Sequence, residues 1–324
     1  MKGFLAAVPL DEVDWEDRTY AIRSFKPFAR LESFLEKFGF LDPPRVLYKG
    51  PKRYVVVDGF KRFQWAGRNG FESIECMVFP EETDARDLLL MRLEGKLLGA
   101  PPNVAEKAQI ISKLRKLLPP EQVVREYFPL LQVAAKPEAL EEWCRLAEAG
   151  DELLEAVACE EIFDRTALEL MHWEEDVRLE MLLLFKELRC SASVQMEILE
   201  RITEVALRQG RKRAEVLHDP PVQSIIADPN QNHRRKTQVL RDLLTRLRFP
   251  RLQAREEHFE RQLQGLSLPK AMRLIHPPTF EGERWQLQLA FSRPKELQEA
   301  VEKARDLALS PALESLMFPD TLVE

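Results

Sequence analysis

The sequence predicts a multidomain α+β protein. It would have a small α/β N-terminal domain over residues 1–100, an all-helical middle over 101–210, and C-terminal helices plus a β-hairpin over 211–324. Two observations predict it. Apolar residues alternate between period-two and helical spacing up to about residue 100, and helical spacing alone follows to Gly210. The 324 residues hold 12 glycines and 22 prolines, which favours helices bounded by proline over glycine-rich β-turns. Charge is also uneven: Arg201 to Gln262 contains 14 Lys/Arg against 8 Asp/Glu, while the whole chain carries −6. A basic segment on an acidic chain points either to a polyanionic partner or to a solvated helical face.

In chain order, "RLESFLEKFGF" spaces Leu31, Phe34, Leu35 and Phe38 along one helix face, and Gly39 is placed to end that helix. "RVLYKGPKRYVVVDG" reads as two strands around a Lys49-Gly50-Pro51 turn. Asp58-Gly59 then turns the chain into a helix through Trp65, with Gly67 and Gly70 as stops. "SIECMVF" alternates Ile74, Cys76 and Val78 with Glu75 and Met77 and is a strand candidate. "ETDARDLLLMRLEGKLL" is a helix with Thr83 or Asp84 as N-cap.

Asn103 with Glu106 three residues later is a capping-box signature for "NVAEKAQIISKLRKLL". Pro119 and Pro120 end that helix and start the next, and Pro137 opens "KPEALEEWCRLAEAG", which Gly150 closes. Helices continue through "SVQMEILERITEVALRQ". "GRKRAEVLHDPPVQSIIADPNQNHRRKTQ" is polar and broken by prolines, so a domain boundary or a partly ordered linker is expected there. Two basic helices parted at Pro250 follow, then a hairpin in which Trp285, Leu287, Leu289 and Phe291 alternate with other residues, then a helix with Pro294 in its first turn.

Composition excludes several classes. With 45% apolar and 31% charged residues the chain is neither disordered nor a membrane span. Pro9 and Asp11 cut the first apolar run short of a signal core, so a cytoplasmic protein with no membrane partner is expected. Cys76, Cys144, Cys159 and Cys190 form no CxxC pair and read as four core thiols in a reducing compartment. The five histidines show no HExxH spacing, and neither a P-loop nor a G-x-S-x-G motif is present.

The stretch "YVVVDGFKRFQWAGRNG" carries the most chemistry. A strand–Gly59–helix turn can aim backbone N–H groups at an anion, and Lys61 and Arg62 add cations beside them. The bland alternative gives Phe63 and Trp65 to the core and leaves both cations in solvent.

The order of elements around this turn resembles the N-terminal domain of the ParB family, bacterial partition proteins that bind DNA and in many cases use CTP. The family has an arginine after a polar stretch, which Arg23 matches. It has a helix ending in Gly–x–x–x–Pro, which Gly39 to Pro43 matches, and a Gly-Glu-Arg-Arg turn with a later alanine, where Gly59, Arg62 and Ala66 are kept. Glu94 matches the family's Glu-Asn, with Gly95 in the amide position; Phe60 and Lys61 replace the glutamate and first arginine.

The resemblance spans residues 5–190 and implies a ParB-like α/β N-domain followed by a helix-turn-helix-like element. It implies a nucleotide site at Gly39, Pro43, Gly59, Lys61, Arg62 and Glu94, with CTP and magnesium as the cofactor and Glu94 near the metal. One carboxylate without its neighbouring amide is a poor site for a six-coordinate ion, so hydrolysis of CTP is not expected. The sulfiredoxins share this α/β fold but need a reactive cysteine near the turn, and none lies between Asp58 and Gly70.

The family's recognition helix falls on "KPEALEEWCRL", whose Glu138, Glu141 and Glu142 would face a line of phosphates. DNA contact is therefore expected from Arg211, Lys212, Arg213, Arg234, Arg235 and Lys236. The reading is a DNA-associated protein of partition, nucleoid organisation or regulation, as a homodimer, with a partition ATPase as a further partner. Its alternatives are a nucleotide hydrolase or kinase using Arg62 and Glu94, and a protein-interaction scaffold.

Overall fold

In the computed structural model, residues 2–266, 268–282 and 284–317 are described. The first strands build a four-stranded mixed sheet in the order β1-β4-β2-β3. β1 (Phe4–Pro9) pairs antiparallel with β4 (Ser73–Phe79), which lies parallel to β2 (Arg45–Tyr48). β2 turns back antiparallel into β3 (Tyr54–Asp58) through Gly50, whose φ of 104° is one that glycine adopts without strain. Val55, Val56 and Val57 are all buried, so β3 is covered on both faces, as a continuous β-branched run implies.

Helix α1 (Ala29–Phe38) ends at Gly39, φ 69°, as its sequence predicts. Helix α2 (Phe60–Arg68) packs Phe63 and Ala66 against Val46, Val56, Ile74 and Val78 of the sheet. It runs through Gly67, where a stop was expected. Nothing but Leu10, at 3.9 Å, stands near a Cβ placed at that position, and the chain turns only at Asn69-Gly70. Gly59 is a different case. Its φ is 94°, and an added Cβ would sit 2.8 Å from Pro44 Cβ, so the turn into α2 needs glycine for both backbone and space.

Helix α3 (Ala85–Leu97) starts from Asp84, whose side chain accepts from Arg86 N. α4 (Val104–Leu117) starts from Asn103 in a complete capping box with Glu106. Short helices α5 (Pro120–Gln122) and α6 (Phe128–Leu130) flank a π-turn at Val123–Tyr127; the turn buries Val123 and Tyr127, and α6 buries Phe128. Next come α7 (Pro137–Ala147), α8 (Asp151–Ala158), α9 (Asp164–Leu170), α10 (Glu175–Leu188) and α11 (Ala192–Gln209). α4 is the hub of this region and packs against both α7 and α8.

By its contacts the chain falls into two units, one up to Leu199 and one from Glu200. In the second unit the expected linker is mostly helix: α12 (Arg213–Leu217) and α13 (Pro220–Ala227) occupy it. Pro220 and Pro221 break nothing there, because they stand in the first turn of α13, where no N–H partner is required. α14 (His233–Arg248) and α15 (Pro250–Gly265) are parted at Pro250, as read from sequence. The hairpin is present as β5 (Met272–Ile275) and β6 (Gln286–Leu289), followed by α16 (Pro294–Ala308) and α17 (Pro311–Met317). Phe259, Leu274, Phe280 and Leu316 form its core.

Among the described residues no helix is long and apolar enough to cross a membrane. Of the four cysteines only Cys76 is a core thiol; Cys159 is exposed, and Cys144 and Cys190 lie between. Burial pushes the Cys76 thiol up to about 12.

Candidate functional site

The turn at the head of α2 keeps the shape read from its sequence, but its arginine already has a partner. Arg62 Nη2 lies 2.7 Å from Asp42 Oδ2, on the loop between Gly39 and Pro43. Asp58 Oδ1 accepts from Gly59 N at 2.8 Å and faces Arg92 Nη1 at 3.3 Å, while its Oδ2 accepts from Arg45 Nη1 at 2.8 Å. Two carboxylates thus hold three arginines around Gly59. Glu94 Oε1 accepts from Tyr127 Oη at 3.1 Å. Among the described residues no cluster of three His, Cys, Asp or Glu could hold a metal ion.

Lys61 points elsewhere. It is half-buried with its Nζ 5.3 Å from the Phe28 ring centroid, and burial pulls its pKa below the ordinary lysine value; Glu106 opposes that shift and Lys96 adds to it. Arg68, two turns on, lies 5.7 Å from the same ring and 3.3 Å from Glu32. Phe28 therefore lies within cation–π range of two cations of α2.

Both cations open into a cleft of about 980 Å³, within the range of small-molecule sites. Its walls are the extended segment from Arg18 to Phe28, one face of α2, and the polar stripe Gln109, Ser112, Lys113 and Lys116 of α4. The lining includes Arg18, Arg23, Lys26, Lys61, Arg68, Lys113 and Lys116 against two carboxylates, Glu32 and Glu148. Up to Leu199 the chain carries 27 Lys/Arg and 36 Asp/Glu, so this concentration of cations runs against its surroundings. Such a concave cationic surface focuses field on an anion. Phe25, Phe28 and Phe60 add apolar faces to the same lining.

The segment Arg18–Phe28 has no regular structure and is held by α4 side chains. Gln109 Oε1 accepts from Arg23 N and its Nε2 donates to Arg23 O, both at 2.8 Å. Asn103 Nδ2 donates to Ser24 O at 2.9 Å, and Lys113 Nζ donates to Thr19 O at 2.7 Å. Burial lowers the Lys113 pKa, with Lys116 adding to the effect.

Of the six residues expected to bind nucleotide, only Lys61 lines this cleft; Gly39, Pro43, Gly59, Arg62 and Glu94 do not. Lys26, Arg68, Lys113 and Lys116 were missed by sequence reasoning. Their signal was present as two polar stripes at helical spacing: Lys61, Gln64 and Arg68 on α2, and Gln109, Ser112, Lys113 and Lys116 on α4.

The expected DNA residues divide. Arg211 makes a two-pronged pair with Asp219 at 2.6 and 3.0 Å, and it also donates to Glu215 O. Arg213 Nε donates to Thr203 Oγ1 at 3.2 Å. Lys236 is buried and its ammonium donates to Ile226 O at 2.5 Å, which removes it from any solvent-facing patch. Lys212, Arg234 and Arg235 are exposed. On α7, Glu138 and Glu141 are exposed and Glu142 is half-buried.

Comparison with family models finds no match, and no curated protein matches either. Among solved structures the chain is similar to the C-terminally truncated chromosome-partitioning protein ParB from Caulobacter crescentus in complex with the centromeric parS site. The likeness is 17% identity and a TM-score of 0.32 over 59% of this chain and 96% of that one. It is also similar to the same truncated protein in complex with CTP-gamma-S, at 18% identity and a TM-score of 0.23 over 56% and 99%.

Proposed function

We propose that this chain is a ParB-like, DNA-associated protein whose N-terminal unit captures a nucleotide-type polyphosphate. The observation that carries the reading is the cleft: seven cations and two carboxylates around one concavity, in a part of the chain whose net charge is −9. Phosphate oxygens would meet Lys61, Arg68 and Lys116, with Arg23 offering a planar fork. The rings of Phe25, Phe28 and Phe60 suit the flat face of a base. The order of sequence motifs around Gly59 supports CTP as the first nucleotide to test.

The reading is of binding rather than turnover: of the two lining carboxylates Glu32 is engaged with Arg68, which leaves Glu148, and Glu94, engaged with Tyr127, lies outside the lining. DNA association belongs to exposed cations such as Lys212, Arg234 and Arg235, which give salt-dependent affinity with little base specificity. Titration calorimetry of the full chain with CTP and magnesium is the test. Saturable binding that is lost in Lys61→Glu/Lys116→Glu supports the reading; absence of heat with any nucleoside triphosphate removes it.

A further inference from the structure

Two cations of the cleft lean out of it. Arg23 Nη1 donates to both carboxylate oxygens of Asp151, the first residue of α8, at 2.6 and 2.7 Å, and Lys26 Nζ lies 3.2 Å from Glu160 Oε1 just past the end of α8. The backbone carrying these side chains is fixed separately, through the bonds from Asn103, Gln109 and Lys113 of α4. Side chains can thus change partner while the segment stays in place.

Three further features favour exchange. Both pairs are exposed, with side-chain exposures of 54% and 60% for Arg23 and Asp151 and 43% and 75% for Lys26 and Glu160. Pairs of that kind contribute little and yield to a stronger anion. Phe25 and Glu160, one at each end of the contact, hold left-handed backbones at φ 54° and 63°, a conformation that costs a non-glycine residue free energy. The Arg23 guanidinium also lies 4.4 Å from the ring centroid of Phe25 itself.

We infer that Arg23 and Lys26 are a ligand-exchangeable latch. A phosphorylated ligand in the cleft takes both cations from Asp151 and Glu160, and so releases α8 and the turn after it from the Arg18–Phe28 segment. The inference rests on the cleft binding an anion. By linkage, a latch opened by ligand must also oppose ligand, so removing its carboxylates tightens binding.

The test compares CTP with magnesium titrated into the full chain, into Asp151→Asn/Glu160→Gln, and into a control, Glu152→Gln/Glu155→Gln, which removes two neighbouring exposed carboxylates outside the latch. Two exposed pairs at ~0.2–1 kcal/mol each translate into roughly 2- to 30-fold tighter binding for the first variant. The control should gain less, and ligand should speed amide exchange over 151–161 in the unmodified chain but not in the latch variant. Equal gains in both variants, or no gain where the unmodified chain binds, overturns the latch and leaves the cleft standing. Binding by none of the three removes the cleft reading and the latch with it.

Discussion

The cations of the cleft and those between Arg211 and Lys236 are the same residue types put to different uses. In the cleft, Lys61, Arg68 and Lys116 converge on one concavity from two helices, and Arg23 and Lys26 sit in exposed, exchangeable pairs. In the second unit, Arg211 closes on Asp219 and Lys236 caps the carbonyl of Ile226 from a buried position. The lesson is that a run of cations in a sequence counts charge but not availability. Availability depends on a partner carboxylate or carbonyl that the fold supplies, here eight and ten residues away.

The largest effect expected from breaking this contrast is in the cleft. Lys61→Glu/Lys116→Glu removes two charge-assisted contacts of about 1.5–3 kcal/mol each, so nucleotide affinity should fall at least ~100-fold by calorimetry. DNA binding by the second unit's cations should hold. The next effect separates Lys236 from its neighbours. Lys236→Met strands the Ile226 carbonyl and should cost about 1–3 kcal/mol in urea unfolding, whereas Arg234→Ala/Arg235→Ala should stay within ~0.5 kcal/mol. For DNA the ranking reverses: the double alanine variant should lower the slope of log affinity against log salt by about 2, and Lys236→Met should leave it unchanged.

The smallest effect is on pH. Burial lowers the Lys61 pKa below 10.5, so between that lowered value and 10.5 the unfolded chain holds the proton that the folded chain has lost. Stability contributed by this group therefore rises with pH across that window. Nucleotide affinity moves oppositely, because the cleft loses a positive charge there. Lys61→Arg should keep its affinity to higher pH, as followed by calorimetry across the alkaline range.

Much of the first unit was legible in the sequence because its signals are local. The β2–β3 turn, the helix after Asp58-Gly59, and the Asn103–Glu106 capping box each depend on residues a few positions apart. The linker reading fails because a proline breaks a helix only in its interior, whereas Pro220 and Pro221 stand in the first turn of one. The candidate site was half legible. The polar stripes of α2 and α4 have helical spacing, but the segment between Arg18 and Phe28 has no periodicity, and long-range bonds such as those from Gln109, Asn103 and Lys113 place it across from them. Arg62 was read as facing an anion because nothing in its own neighbourhood shows that Asp42, 20 residues earlier, answers it.

Amide hydrogen exchange of the full chain with and without CTP and magnesium tests the cleft most directly. The predicted result is slowed exchange in α2 and α4 and over 18–28, where ligand and walls meet, with faster exchange at the start of α8. Unchanged exchange in all three walls, or slowing confined to α14, would contradict it.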